Sequence, residues 1–363
     1  MKLTILTKIP SPYQVELFDA VANAPGMELT VVYVRQSDAD RNWSKRPVRH
    51  RALYLENPVE VEPAVVGADL VVFSWYRHRQ VRALMSRRVA TGRPWCFWGE
   101  RPGIQHKGGL GAAYRRIALW RLWRDHSVPI WGIGHWAIEG YRREFGSRPY
   151  YHMPYVSDLR RFFAIQREAP SDRRTVLFSG SLIARKGIEE LCDAFREVAR
   201  RRPGVRLLVM GTGPLESMLK ERHGGFPAIH FLGFRDWDDL PLAYREADLL
   251  CAPSRYDGWG LIVPEAMASG LPVIASTEMG SAREMIEPGI NGWLVAPNDQ
   301  VAIARALEHA LDLPTDDLRG MREACREKAR QYDLSAGSRR LIDASRTTIE
   351  NWQRAPAAAT LPR

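Results

Sequence analysis

No stretch of this chain runs for the roughly 18 consecutive apolar residues that a helical membrane span requires, so a transmembrane class is excluded. The start lacks a secretory h-region as well, because Lys8 and Pro10 interrupt the apolar Leu3-Thr-Ile-Leu6. Cysteine is scarce. Cys96, Cys192, Cys251 and Cys325 are scattered with no metal-ligand spacing, which argues against a disulfide framework or a zinc site and for reduced, packed thiols in a cytoplasmic setting. There is no low-complexity tract and no clear internal repeat, so solenoids and propellers are excluded. Acids are outnumbered, with 42 Asp and Glu against 52 Lys and Arg, and the formal net charge of +10 invites an anionic partner. What is present, 363 residues of which 45% are apolar and 26% charged, suits a soluble globular enzyme with room for two full cores.

The most informative stretch is Pro253 to Ser276, PSRYDGWGLIVPEAMASGLPVIAS. Asp248 to Cys251 before it reads as a buried parallel strand that delivers the chain to a site. Gly258 and Gly260 flank Trp259, allowing a tight turn that brings backbone N–H groups close to a ligand. Leu261, Ile262, Glu265, Ala266 and Ala268 fit a mostly buried helix of about two turns, ended by Gly270 and Pro272, and Val273 to Ala275 is the next strand. A helix start behind a glycine turn favours an anion such as diphosphate, because unpaired N–H groups and the positive dipole end converge there. Two acids frame the turn. Asp257 enters it, and Glu265 lies eight positions later on an apolar helix, where a carboxylate costs several kcal/mol, roughly, unless it is hydrogen-bonded. Sugar hydroxyls are suitable partners.

This stretch resembles the signature of retaining glycosyltransferases of family four, in which an acid, seven residues and a Glu stand in a frame like EGFGLvxxEAMAxGxPVxA. The chain departs by placing Asp257 where Glu is usual and Trp259 where Phe is usual. The resemblance implies an α/β GT-B fold, with two Rossmann-like doubly wound domains facing a central cleft, and covers the second domain more closely than the first. It also implies roles. In Ser179 to Gly187, Lys186 takes the place of a lysine that neutralises the donor diphosphate; Ser181 stands where an arginine is usual, and neighbouring Arg185 supplies the charge. Asp257, Lys186 and Arg185 form the catalytic group, with Asp257 holding or polarising the sugar. Gly211 and Gly213, with Phe234 and Arg235, wall the base; Glu265 fixes the ribose; and Gly258, Trp259, Gly260, Leu261 and Ile262 complete the donor site.

The order of elements agrees with that class. Leu3 to Thr7, a loop at Ile9 to Tyr13, a helix from about Gln14 to Ala22 and a strand at Leu29 to Val34 open a doubly wound sheet, whose ligand crevice lies at the strand carboxyl ends. Ser11 and Tyr13 thus line either an acceptor crevice or a rigid connecting loop. Arg35 to Ala64 is polar, basic and poor in pattern, and reads as a loop near an active site or as an exposed excursion. Asp69 to Ser74 is a strand, Arg77 to Ala90 a helix with its basic residues outward, and Trp95 to Trp98 a strand that ends at Glu100 and Arg101. These two suit acceptor chemistry, and His106 just beyond is either an acceptor residue or a solvated loop histidine. Between Gly108 and His126, arginines alternate with Leu119, Trp120, Leu122 and Trp123; this suits an anionic membrane surface or a lipid-linked acceptor, or else a packed helix with a snorkelling basic face. His135 reads as a helix start, and the acids Asp236, Asp238 and Asp239 as helix-opening residues with no metal to hold. The expected domains are 1–160 for the acceptor, a linker at 161–174, 175–334 for the nucleotide sugar, and a helix from 335 crossing back to the first domain, with a tail to 363.

The expected activity is retaining, metal-independent transfer of a hexose-type sugar from a nucleoside-diphosphate sugar, UDP or GDP, to a carbohydrate or lipid-linked acceptor in surface polysaccharide synthesis. No cofactor is expected beyond that co-substrate, and no nucleic acid; the setting is cytoplasmic, with the inner membrane face as an alternative. Two rivals stand beside it. A sugar phosphorylase or nucleotide-sugar epimerase would share the fold, although no pyridoxal-phosphate lysine site is evident. A non-catalytic basic module binding lipid or nucleic acid would explain the charge but not the paired acids.

Overall fold

Short, almost uninterrupted apolar runs, the mark of parallel strands covered on both faces, build two sheets. The computed structural model describes residues 1–37, 47–103, 109–167 and 174–354. The chain divides into two compact units, Met1–Ser157 with Leu334–Arg363, and Asp158–Asp333. No helix among the described residues is long and apolar enough to cross a membrane.

The first unit runs β1 (Lys2–Thr7), α1 (Pro12–Ala22), β2 (Glu28–Tyr33), β3 (Arg51–Tyr54), α2 (Pro58–Gly67), β4 (Leu70–Phe73), α3 (Arg79–Ala90), β5 (Trp95–Gly99), α4 (Gly109–Ala118), α5 (Trp120–Arg124), β6 (Ile130–Gly132), α6 (His135–Phe145) and β7 (Tyr150–His152). All seven strands are parallel, in the order β3-β2-β1-β4-β5-β6-β7. The order reverses between β1 and β4, where a doubly wound sheet opens its crevice at the strand carboxyl ends. The C-terminal helix, Leu334–Arg354, packs along α1 in this same unit, burying Leu341, Ala344 and Thr348, and Trp352 Nε1 donates to the Gly92 carbonyl at 2.9 Å.

Two expectations for this unit are corrected. The segment 35–64 is not one loop, since it holds β3 and the start of α2. The edge strand β3 is only half-buried, and α2 carries Pro58 in its first turn and Pro63 inside, which blur the usual periodicities. Nor do all the basic residues of α3 face outward. Arg88 is fully buried, donating to the carbonyls of Val65, Val66, Ala68, Asp69 and Pro94. Burial pushes its pKa down to about 10, which still leaves it a cation at neutral pH. It ties the end of α2 to the entries of β4 and β5, satisfying carbonyls that water cannot reach.

The second unit runs α7 (Arg160–Phe163), β8 (Thr175–Ser179), a 3₁₀ turn (Ala184–Lys186), α8 (Ile188–Arg201), β9 (Arg206–Met210), α9 (Glu216–His223), β10 (Ile229–Gly233), α10 (Leu240–Glu246), β11 (Leu249–Ala252), α11 (Ile262–Ala268), β12 (Val273–Ser276), α12 (Gly280–Met285), β13 (Gly292–Val295), α13 (Gln300–Leu311) and α14 (Thr315–Ala329). Its six parallel strands lie in the order β10-β9-β8-β11-β12-β13, with the reversal between β8 and β11. The helix α8 shows why the pattern was readable: Ile188, Leu191, Cys192, Phe195 and Val198 recur at three- and four-residue steps and pack into one core with Val176, Leu207 and Leu249. Asp299 caps α13 by accepting from the Ala302 N–H at 2.8 Å.

The expected linker at 161–174 is also corrected. Phe162 is fully buried with its ring 5.1 Å from that of Tyr244, and the Arg167 guanidinium donates to the carbonyls of Ser269, Ala247 and Tyr244. These contacts fasten 160–167 to the second unit, so the division falls after Ser157; Pro170 lies outside the described residues. All four cysteines are free and buried.

Candidate functional site

The reversal point of the second sheet gathers two loops, one leaving β8 and one leaving β11. At its centre Lys186 Nζ stands 2.5 Å from Asp257 Oδ2. Arg185 approaches the same oxygen at 3.5 Å and donates to the Tyr256 carbonyl at 2.9 Å. Arg255 N–H donates to the Arg185 carbonyl at 2.8 Å, so the two loops are joined by backbone as well as by charge. The Asp257 side chain is only 14% exposed. Burial alone would raise its pKa, but Lys186 and Arg185 outweigh that and hold the carboxyl below its ordinary range. One carboxylate facing two cations leaves the cluster net positive, as an anion site should be.

Glycines make these loops fit. Gly187 has φ +69°, and a Cβ there would fall 2.3 Å from the Pro253 carbonyl oxygen. Gly211 has φ +136°, and a Cβ on it would meet the Gly180 carbonyl at 1.9 Å. Gly211 and Gly213, expected at the donor, thus have a structural duty first: they let the loop after β9 lie backbone-to-backbone on the loop after β8, where Leu182 N–H donates to the Thr212 carbonyl at 2.9 Å. Phe234 and Arg235 are exposed just past β10. That strand lies two spacings from β8, roughly 10 Å. Ser181 is exposed at the mouth of the β8 loop.

The turn after Asp257 closes against Glu278 to Ser281. Asp257 N–H donates to the Glu278 carbonyl at 2.9 Å, and the Ser281 hydroxyl donates to the carbonyls of Trp259 and Gly260 at 2.7 and 2.8 Å. Gly260 takes φ +91°, while Leu261 and Ile262 are half-buried at the entry to α11. Trp259 departs from expectation. It is 2% exposed with its ring 5.9 Å from that of Tyr332, so the side chain belongs to the core and only its backbone faces the turn. Glu265 is 3% exposed, and the Tyr244 hydroxyl donates to its Oε2 at 3.2 Å. Tyr244 also bonds Ser179, the last residue of β8, which links Glu265 to the base of the cationic loop. Burial, then Glu265, pushes the Tyr244 phenol well above its ordinary range, so it is a fixed donor. Tyr244 and Ser179 were missed in the sequence; a lone tyrosine in the short run LPLAYRE, next to Arg245 and Glu246, gave no signal of burial.

In the first unit the expected acceptor residues separate. Ser11 is 5% exposed at the start of α1 and is structural. Tyr13 is half-buried with its ring 5.0 Å from Tyr155. Tyr155 bonds both Tyr13 and Glu100; burial, then these neighbours, pushes its phenol well above the ordinary range. Tyr13, Glu100 and Tyr155 thus form one polar cluster near the carboxyl ends of β1 and β5. The Arg101 guanidinium lies 3.9 Å from the Trp136 ring centroid, a cation–π contact. His135 begins α6 and stacks on His152 at 4.3 Å. His106 lies outside the described residues. A cavity of about 1050 Å³ in the second unit, lined by Thr175, Arg206, Asp248 and Arg322, opens at the amino ends of the strands and takes no part in this site.

Residues 160–332 match the family described as glycosyl transferases group 1. An alpha-D-kanosaminyltransferase of Streptomyces kanamyceticus is 30% identical over 189 residues, 51% of this chain and 48% of its own length. A phosphatidyl-myo-inositol mannosyltransferase of Mycobacterium leprae is 33% identical over 189 residues, 51% of this chain and 50% of its own. The chain thus spans about half the length of these relatives. Anabaena HepE, solved in complex with UDP-glucose, superposes with a TM-score of 0.71 at 17% identity, covering 96% of this chain and 100% of that one. That likeness speaks for the fold, two Rossmann-like domains of the GT-B class. Residues 160–332, just under half of the chain, are thus similar to the glycosyl transferases group 1 family.

Proposed function

We propose that the protein is a retaining glycosyltransferase that moves a hexose-type sugar from a nucleoside diphosphate to an acceptor hydroxyl. The observation that carries this reading is the Lys186–Asp257–Arg185 cluster at the reversal point of the second sheet. Lys186 and Arg185 bind the diphosphate and stabilise the charge that builds on it as the bond from the sugar C1 to the phosphate oxygen breaks. The acceptor oxygen forms its bond to C1 from the same face, and its proton passes to the departing phosphate oxygen. Asp257 holds the two cations in place and contacts the sugar. Glu265, oriented by Tyr244, binds the ribose hydroxyls. Phe234 and Arg235 flank the base, and the Tyr13–Glu100–Tyr155 cluster binds the acceptor. The UDP-glucose held by HepE supports a UDP donor, with GDP as the alternative. Metal-independent chemistry fits a site whose own cations face the diphosphate.

The test is release of nucleoside diphosphate from UDP, GDP and ADP sugars, with and without chelator, in wild type, Lys186→Ala and Glu265→Ala. One donor should be turned over equally well in chelator. Lys186→Ala should lose about a hundredfold or more in kcat, and Glu265→Ala should act chiefly through KM. Absence of turnover with every donor and acceptor would overturn the enzyme reading in favour of a basic binding module.

A further inference from the structure

Eleven large apolar side chains stand exposed among the described residues, and five of them fall within fourteen positions: Leu110, Tyr114, Ile117, Trp120 and Trp123 on α4 and α5. Leu110, Tyr114 and Ile117 recur at steps of four and three on α4, and Trp120 and Trp123 at a step of three on α5, while Ala118, Leu119 and Leu122 are buried in the unit. Leu110 is 89% and Ile117 74% exposed. The flanking charge has a single sign: no Asp or Glu occurs from Gly109 to Arg124. Arg115 is taken up by Glu144 at 2.9 Å, but Arg116 and Arg124 are exposed. The guanidinium groups of Arg121 and Arg124 lie 4.4 and 5.7 Å from the Trp120 ring centroid, joining cation and aromatic in one surface.

We propose that this face of α4 and α5 docks on an anionic lipid bilayer, with both helices lying in the interface plane. A purely electrostatic partner explains only the cationic half of the surface. A polynucleotide backbone would neutralise the arginines but leave Leu110 and Ile117 in water, whereas acyl chains would bury both. Tryptophan and arginine side by side match the boundary between headgroups and acyl chains, where a ring is buried at one end and wet at the other. Anionic headgroups supply the charge complement to Arg116, Arg121 and Arg124. The inference does not depend on the glycosyl-transfer reading.

Sedimentation of the full chain with phosphatidylcholine vesicles, with or without about one third phosphatidylglycerol, tests it directly. The wild type should bind the anionic vesicles and not the neutral ones. Ile117→Glu combined with Trp120→Glu should lower the bound fraction about tenfold or more, and Arg116→Gln with Arg124→Gln should weaken binding and its salt dependence together. These positions are exposed, and unchanged circular dichroism will separate lost docking from lost folding. The proposal falls if the wild type ignores anionic vesicles or if the Glu variants still bind them. It falls equally if the Glu variants instead abolish self-association of a protein that does not bind vesicles, or if an oligonucleotide is bound in preference to the vesicles.

Discussion

A single carboxylate at the head of a turn, Asp257, decides how two cations are presented. Its folded pKa is depressed, so the stability it contributes is present above the ordinary carboxylate range, near pH 4, and is lost as pH falls through the lower folded value. Asp257→Asn should therefore cost about 1–2 kcal/mol at pH 7, less than a wholly buried pair would, because the 30%-exposed Arg185 can take water. Urea denaturation at pH 7 and at pH 3 should show the gap between variant and wild type narrowing in acid; a constant gap would mean the pair contributes nothing. At this scale the chemistry was legible where a residue's neighbours in sequence are also its neighbours in space. Asp257 and Glu265 sit in one continuous signature, and Lys186 was expected from the resemblance of the loop after Gly180 to that of the family. Trp259 was misread because its burial is decided by Tyr332, more than seventy positions away. Tyr244 was missed because Phe162 and Glu265 bury it from two other elements.

Between elements, the fit of the β8 and β11 loops rests on the absence of a side chain. Gly187→Ala would force both a left-handed φ and a clash with the Pro253 carbonyl, a backbone atom that cannot rotate away. It should cost about 2 kcal/mol or more and lower turnover further by moving Lys186 off Asp257. Gly92→Ala is the control, since φ there is +66° but a Cβ meets open space; it should cost only the conformational part, about 1 kcal/mol. Chemical denaturation and donor turnover read both effects, and equal behaviour of the two variants would discount the clash. The buried parallel strands were the most legible elements, because solvent is excluded from both faces and the apolar run is unbroken. The half-buried edge strand β3, the proline-bearing α2 and the short polar α9 gave no such run. The break between α4 and α5 at Leu119 was likewise silent, since the residue continues the helical pattern while its backbone leaves it.

For the whole molecule, the decisive feature is that the first unit is made from two separated parts of the chain. Ending the protein at Asp333 would remove the helix that covers α1, uncovering several apolar side chains worth about 1.5–3 kcal/mol each when buried. Hydrogen exchange should then rise across the first unit while β8 to β13 remain protected, and nucleoside diphosphate should still bind. Loss of protection in both units would show them to be one cooperative body. The sequence disclosed the two-sheet plan and the late helix, but not where the boundary falls, because Phe162 and Arg167 fasten an apparently polar segment to the second unit.

The same arrangement sets an order of events at synthesis. Asp158–Asp333 is continuous, so it can mature as soon as it leaves the ribosome. The earlier-made sheet must wait with one flank of α1 bare until Leu334–Arg354 emerges, more than 170 residues after β7. During that interval the first unit, though made earlier than the second, is the less finished of the two, and it is there that a chaperone would find its target.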